Sequence, residues 1–203
     1  EELVTCEGTV HSIIFQNAEN GYTVLRLLTE EGEVITVVGC IPCVAPGEHL
    51  AVSGVPETHP QHGEQLRAVE LERSLPEDEE EIFSYLSSGI CKGVGPATAR
   101  RIVERFGAET LDVLEREPER LTTLKGVTAR KAQEIAESFR QHMGLRRLMA
   151  FLAQYQLPPV LAMELRRQYG DAALEKVREN PYLLSGEACG VEFSVTDGIA
   201  MGM

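Results

Sequence analysis

The chain reads as an α+β multidomain protein: a small N-terminal β-barrel followed by an all-α region that is internally duplicated. Three observations carry this. Five short segments rich in Val, Ile, Leu and Thr fall within the first 75 or so residues, separated by turn-forming pairs. Beyond residue 82 the apolar residues recur at helical spacing instead. Landmarks also return at a fixed offset: Phe106-Gly107, Leu111, Pro118 and Leu121 are matched 63 residues later by Tyr169-Gly170, Leu174, Pro181 and Leu184. That offset marks a repeated structural unit.

The strand segments are Val4 to Phe15, Tyr22 to Leu28, Val34 to Cys40, His49 to Val55 and Gln65 to Leu71, with turns at Asn20-Gly21, Glu31-Gly32, Pro46-Gly47 and His62-Gly63. Five short strands in so few residues predict a closed barrel, and the pattern is similar to an OB-fold. Many OB-folds bind single strands through a basic groove and stacking aromatics. This one is acidic and offers only Phe15 and Tyr22 for stacking, which favours a structural or protein-docking role over strand binding.

Pro76-Glu77-Asp78-Glu79-Glu80-Glu81 marks the end of the barrel. Acidic residues after a proline suit the first turn of a helix, and Ile82, Phe83, Tyr85 and Leu86 continue it with an apolar face. Helices should then run to residue 201, broken by Gly89, Gly107, Pro118, Gly126, Gly144, Pro158-Pro159, Gly170, Pro181 and Gly190. The expected organisation is a barrel over 1–75, a first pair of hairpins over 76–148 and a second, degenerate pair over 149–203.

Within the helical region, Gly93-Val94-Gly95 precedes Ala99, Ile102, Val103 and Phe106, a tight turn feeding an amphipathic helix. Gly126-Val127-Thr128 stands in the same relation to Ala132, Ile135, Ala136 and Phe139, 33 residues on. Such a turn aims backbone amides at whatever precedes the helix, and a helix N-terminus favours anions, so phosphate is the expected guest. The candidate DNA-binding residues are Lys92, Gly93, Val94, Gly95, Ala97, Thr98, Arg100 and Arg101 at the first turn, with Lys125, Gly126, Val127, Thr128, Arg130 and Lys131 at the second. Val94, Gly95 and the first helical residues supply amides, Thr98 a hydroxyl, and the lysines and arginines a salt-sensitive attraction. A third copy, Gln156-Leu157-Pro158 to Ala162, Leu165 and Tyr169, lacks glycine; a fourth, Gly190-Val191-Glu192 to Thr196, Ile199 and Ala200, places a carboxylate where phosphate would sit. The competing reading is that the turns only separate packed helices and the cations only solvate them.

Charge is unevenly distributed. Residues 1–88 hold 3 basic and 17 acidic residues, residues 89–150 hold 12 and 8, and residues 151–203 hold 4 and 7, so the one basic zone coincides with the two best turns. With 43% hydrophobic residues the chain can bury real cores, and no apolar run is long enough for a membrane span. Five scattered cysteines, Cys6, Cys40, Cys43, Cys91 and Cys189, fit a reducing cytoplasm better than a disulfide framework. Cys40-Ile41-Pro42-Cys43 has redox or zinc spacing, but it follows a strand and lacks a second ligand pair, so a structural role is expected. The histidines are scattered and no catalytic constellation emerges. With no initial methionine and an end inside the fourth helix pattern, the chain is read as a fragment.

The two glycine turns with their helices resemble the helix-hairpin-helix motif: hydrophobic, Gly, hydrophobic, Gly, then a helix with Ala and an aliphatic residue. That resemblance implies paired hairpins gripping nucleic-acid backbone without reading bases. The order of parts, together with Asn20-Gly21-Tyr22-Thr23-Val24, Pro46-Gly47-Glu48, Asn180-Pro181-Tyr182-Leu183-Leu184, Gly190-Val191-Glu192-Phe193 and Asp197-Gly198-Ile199-Ala200, is similar to the N-terminal region of RecD-like (RecD/TraA) DNA helicases in their longer form. Glu192 and Thr196 stand where that family would have Gly and Ala. The resemblance implies 5′ to 3′ unwinding by an ATP- and Mg-dependent motor outside these residues, with single-stranded or forked DNA as partner and a possible protein partner at the barrel. No Gly-Lys dipeptide, and so no phosphate-binding loop, occurs here. The fragment is expected to have no catalytic residues, no metal and no cofactor of its own. The rival is a protein-interaction scaffold whose hairpins only pack.

Overall fold

The computed structural model describes residues 2–186 and 189–202; the termini Glu1 and Met203, on which the fragment reading rests, lie outside them. Strands β1 (Val4–Gln16), β2 (Tyr22–Thr29), β3 (Val34–Cys40), β4 (His49–His59) and β5 (Gly63–Ser74) close a barrel in the order β1-β2-β3-β5-β4. All neighbours are antiparallel except β3 and β5, whose short parallel pairing at Val37↔Leu66 and Val38↔Arg67 seals the barrel. Side chains alternate strictly along β2, with Thr23, Leu25, Leu27 and Thr29 inward. Val10, Val37, Leu50, Val52 and Leu66 complete the barrel core. β4 and β5 outrun the segments expected from sequence because they pair with each other from His49↔Ser74 to His59↔Gly63. Cross-strand bonds such as Gln65 to Glu57 (2.7 Å) hold a polar extension that hydrophobic alternation does not reveal.

The helices are α1 (Glu79–Tyr85), α2 (Pro96–Phe106), α3 (Thr110–Arg116), α4 (Ala129–Gln154), α5 (Val160–Tyr169), α6 (Ala173–Glu179) and α7 (Phe193–Gly202). Asp78 caps α1 by accepting from the Glu81 amide at 2.8 Å, as the acidic run implies. The 63-residue duplication is reproduced in detail. Gly107 and Gly170 end α2 and α5 with φ, ψ of 55°, −134° and 61°, −140°, and single 3₁₀ turns at Pro118–Thr123 and Pro181–Ser185 follow α3 and α6. One core gathers Ile82, Tyr85, Ile102, Leu114, Leu121, Ile135 and Phe139; a second gathers Leu145, Leu148, Leu152, Leu165, Val177, Leu184 and Ile199. Ala99, Ala132, Ala136 and Ala162 are fully buried, allowing helices close approach.

Gly144 does not break the chain, contrary to the sequence reading: it lies inside the 26-residue α4. Glycine costs a helix interior about 1 kcal/mol relative to alanine. Here the first half of α4 buries Ile135 and Phe139 in one core and the second half buries Leu145, Leu148 and Leu152 in the other, which outweighs that cost.

Barrel and helices are joined by a buried carboxylate. Glu48, completely inaccessible, accepts from the Ala45 amide (2.7 Å), from Arg73 at the end of β5 (3.1 Å) and from Arg146 of α4. Beside it Gly47 lies directly on α1: a Cβ there would sit 2.2 Å from the Glu81 carbonyl oxygen. Glu81 in turn bonds His49 (2.8 Å) and Thr9 (3.3 Å) of the barrel. Tyr85, wholly buried, satisfies its hydroxyl on His142 of α4. The junction thus uses one carboxylate from each side, Glu48 of the barrel and Glu81 of α1.

Replacing Glu48 by Gln leaves Arg73 and Arg146 without their shared counter-charge. It should lower the unfolding free energy by about 3–5 kcal/mol in urea titration. Gly144→Ala should raise it by about 1 kcal/mol in the same assay, since nothing lies within 4 Å of the added methyl. Burial pushes the His142 imidazole down to about 4, outweighing the nearby Glu48 carboxylate, whereas an ordinary histidine titrates near 6.5. Between these values the unfolded chain binds the extra proton. Stability therefore rises with pH through this window and is lost as pH falls from 6.5 towards 4, by about 3 kcal/mol in all. Thermal melts from pH 7 to 5 should show this slope, and His142→Gln should flatten it.

Candidate nucleic-acid interface

The two turns form as the glycines require. Gly93 and Gly126 take φ of 85° and 84°, a left-handed conformation costly for any residue with a Cβ. Gly95 is different: at φ −92°, ψ −179° it is extended, and nothing lies within 4 Å of a Cβ placed on it. The fold does not need glycine there. As the N-cap of α2 it contributes no side-chain acceptor, so the amides of Ala97 and Thr98 stay without a partner among the described residues, while Pro96 has none to offer. Gly93 and Gly95 are exposed on the same turn. At the second turn Thr128 caps α4 by accepting from the Lys131 amide at 3.2 Å, leaving those of Ala129 and Arg130 unpartnered among the described residues.

Several candidates lie elsewhere than the sequence implies. The amides of Val94 and Val127 close their own turns, donating to the carbonyls of Cys91 (3.3 Å) and Leu124 (3.2 Å), and both side chains are buried in the core. They anchor the turn and do not face a ligand. Thr98 is 8% exposed and offers little surface beyond its amide. Arg100 leans away from the turn: its guanidinium stacks over Phe83 at 3.7 Å and bonds Glu80 at 3.1 Å, both on α1. Arg101 donates to the Lys125 carbonyl at 2.6 Å and stands 3.8 Å from a Cβ placed on Gly126, so a residue of the first hairpin brings its charge to the second turn. Arg130 is nearly fully exposed and 3.4 Å from Glu134. Lys92, Lys125 and Lys131 have no carboxylate within ion-pair distance among the described residues.

Sequence reasoning missed Ser138. Its hydroxyl accepts from the Lys92 amide at 2.8 Å and lies 3.5 Å from the Ile90 carbonyl, pinning the first turn to the middle of α4. A single serine inside a helical pattern carries no signal of this.

The later copies explain their own degeneracy. Gln156 keeps the left-handed turn at φ 57°, but Pro158 and Pro159 remove two amides just before α5. Gly190 keeps φ 63°, yet Glu192 presents an exposed carboxylate at the start of α7. Thr196 is wholly buried and its hydroxyl meets Ser185 at 2.7 Å. Of the cysteine pair, Cys40 donates to the Asn20 carbonyl and Cys43 packs against the second helical core, with burial pushing both thiols upward. No group of three or more metal-ligating side chains gathers among the described residues. None of their helices is long and apolar enough to cross a membrane.

A five-stranded OB-type barrel packed on tandem glycine-turn helices defines a protein of the helix-hairpin-helix class. Residues 3–76 match the OB-fold domain model of the ATP-dependent DNA helicase YrrC, residues 83–141 the SAM-like helix-hairpin-helix tandem, and residues 141–203 the helix-hairpin-helix domain of the ATP-dependent RecD2 DNA helicase. The chain is 29% identical over 197 residues to the ATP-dependent RecD2 DNA helicase of Deinococcus radiodurans, an alignment covering 94% of this chain and 27% of that protein. Together these matches support an N-terminal RecD-like region, and the chain spans about a quarter of the relative's length.

Gly93→Ala should cost about 1–2 kcal/mol of stability through its left-handed backbone, whereas Gly95→Ser, a favourable N-cap at an open site, should shift it by only a few tenths. Differential scanning calorimetry of the two variants separates a turn glycine kept for backbone geometry from one kept for open space.

Proposed function

We propose that this chain is an accessory DNA-binding region of an ATP-dependent DNA helicase, holding the sugar-phosphate backbone of single-stranded or forked DNA without reading bases. The observation that carries this is Gly95, a glycine the fold does not require, standing before the unpartnered amides of Ala97 and Thr98 and beside exposed Lys92. Amides at 93, 95, 97 and 98 and at 126 and 128–130 donate to phosphate oxygens. Lys92, Arg101, Lys125, Arg130 and Lys131 supply the surrounding field. Contacts confined to backbone give little sequence preference. ATP and Mg belong to a motor elsewhere in a longer protein, working 5′ to 3′, and this chain positions the strand for it.

The test is fluorescence anisotropy of the chain with a labelled oligonucleotide across a salt series. Affinity should fall steeply with salt, with little difference between sequences. Gly95→Ser should weaken it about fivefold or more without loss of stability, and Lys92→Glu with Lys125→Glu should also reduce the salt slope by about one per contact. Unchanged affinity in these variants refutes the reading. A second reading, the barrel as a protein-docking module, is favoured by the exposure of Ile14, Phe15 and Tyr22 on its surface. It is the reading left standing if the intact chain has no DNA affinity even at low salt.

A further inference from the structure

We propose that the cavity between α4, α5 and α6 is a further seat for a DNA phosphodiester, separate from the hairpin turns, with Arg166 as its principal cation. The proposal rests on the DNA-binding reading above.

The duplication supplies an internal comparison. In the first unit the notch over Gly107 is filled by the chain's own carboxylate: a Cβ on Gly107 would stand 2.9 Å from Glu79 Oε1 of α1. In the second unit Gly170 has nearly the same backbone geometry, and the second half of α4 takes the place of α1, with Leu145 for Ile82 and Leu148 for Tyr85. The counterpart of Glu79, 63 residues on, is His142, which turns inward to Tyr85. Nothing lies within 4 Å of a Cβ placed on Gly170 or on Gly144 across from it, and a cavity of about 290 Å³ remains.

Three guanidinium groups line this cavity, those of Arg140, Arg147 and Arg166. Arg140 is 3.6 Å from Glu137, and Arg147 pairs with Glu115 of α3. Among the described residues Arg166 has no carboxylate within 4 Å. Glu137, already beside Arg140, and Asp171 are the opposing charges on the lining. A notch that accepts an oxyanion in one unit, and in the other offers space and a guanidinium with no carboxylate in ion-pair contact among the described residues, is suited to an oxyanion from outside the chain.

The placement favours a nucleic-acid phosphate. α4 begins at the second hairpin turn and holds the first turn at Ser138; Gln141 and Gly144, on the cavity wall, follow about 9 Å or less further along the helix. A strand gripped at the turns and laid along α4 therefore meets the cavity directly.

The experiment uses the intact chain, a labelled oligonucleotide and, separately, labelled poly-glutamate. Arg166→Ala and Gly144→Glu should each weaken DNA binding about fivefold, with the salt slope reduced by about one phosphate contact, while Asp171→Asn should tighten it about twofold. Circular-dichroism melts confirm folding, and Asp171→Asn, an exposed position, keeps the test informative if another variant fails to fold. Full affinity in Arg166→Ala and Gly144→Glu, alongside its loss in Gly95→Ser, overturns the cavity while leaving the hairpin reading intact. Wild-type chain without DNA affinity overturns both. Poly-glutamate binding that depends on Arg166 while DNA binding does not overturns the proposal in favour of an acidic protein segment.

Discussion

A carboxylate with no access to water fixes how the two halves of this molecule meet. Glu48 leaves the barrel in the loop before β4 and is neutralised by one arginine from the barrel and one from the middle of α4. An ionised group so deeply placed is tolerable only with its partners in position. The geometry of the clasp is therefore the geometry of the junction. Gly47, pressed on the backbone of α1, and the Tyr85–His142 pair beside it leave little room for another arrangement. The hairpin turns depend on this junction, because α1 and α4 flank them.

The helical region shows how duplication separates framework from function. The framework is copied closely: Gly107 and Gly170 have nearly the same backbone angles, and 3₁₀ turns follow the short helices in both units. The amide donors are not. Prolines occupy the third turn and a glutamate the fourth, so the unpartnered amides of a glycine turn are found in the first unit and are lost at the corresponding turns of the second. The RecD-like matches follow the same division, with a general helix-hairpin-helix tandem over the first unit and a RecD2-specific domain over the second.

Much of this was legible in the residues, for reasons that differ by element. Strand segments showed because a barrel wall alternates, and the repeat showed because core positions recur at a constant spacing. What local pattern could not convey was pairing at a distance. Glu48 looks like any acidic turn residue until Arg73 and Arg146 close on it. Arg100 and Arg101 are adjacent and equally plausible as phosphate ligands, yet one lies over Phe83 and the other reaches Lys125. The amides of Val94 and Val127 seem available in a Gly-Val turn, and only the turn's own hydrogen bonds remove them. Gly144 misleads for the opposite reason: a local breaker is overridden by two cores burying apolar residues on either side of it.

The unbroken course of α4 has a mechanical consequence. A single helix of 26 residues is a rod of about 39 Å, and both hairpin pairs are built onto it. No loop separates the halves of α4 that carry them, so the placement of the first hairpin pair relative to α5 and α6 is set by one continuous helix. Orientation is thereby passed from one end of the helical region to the other through a single piece of backbone.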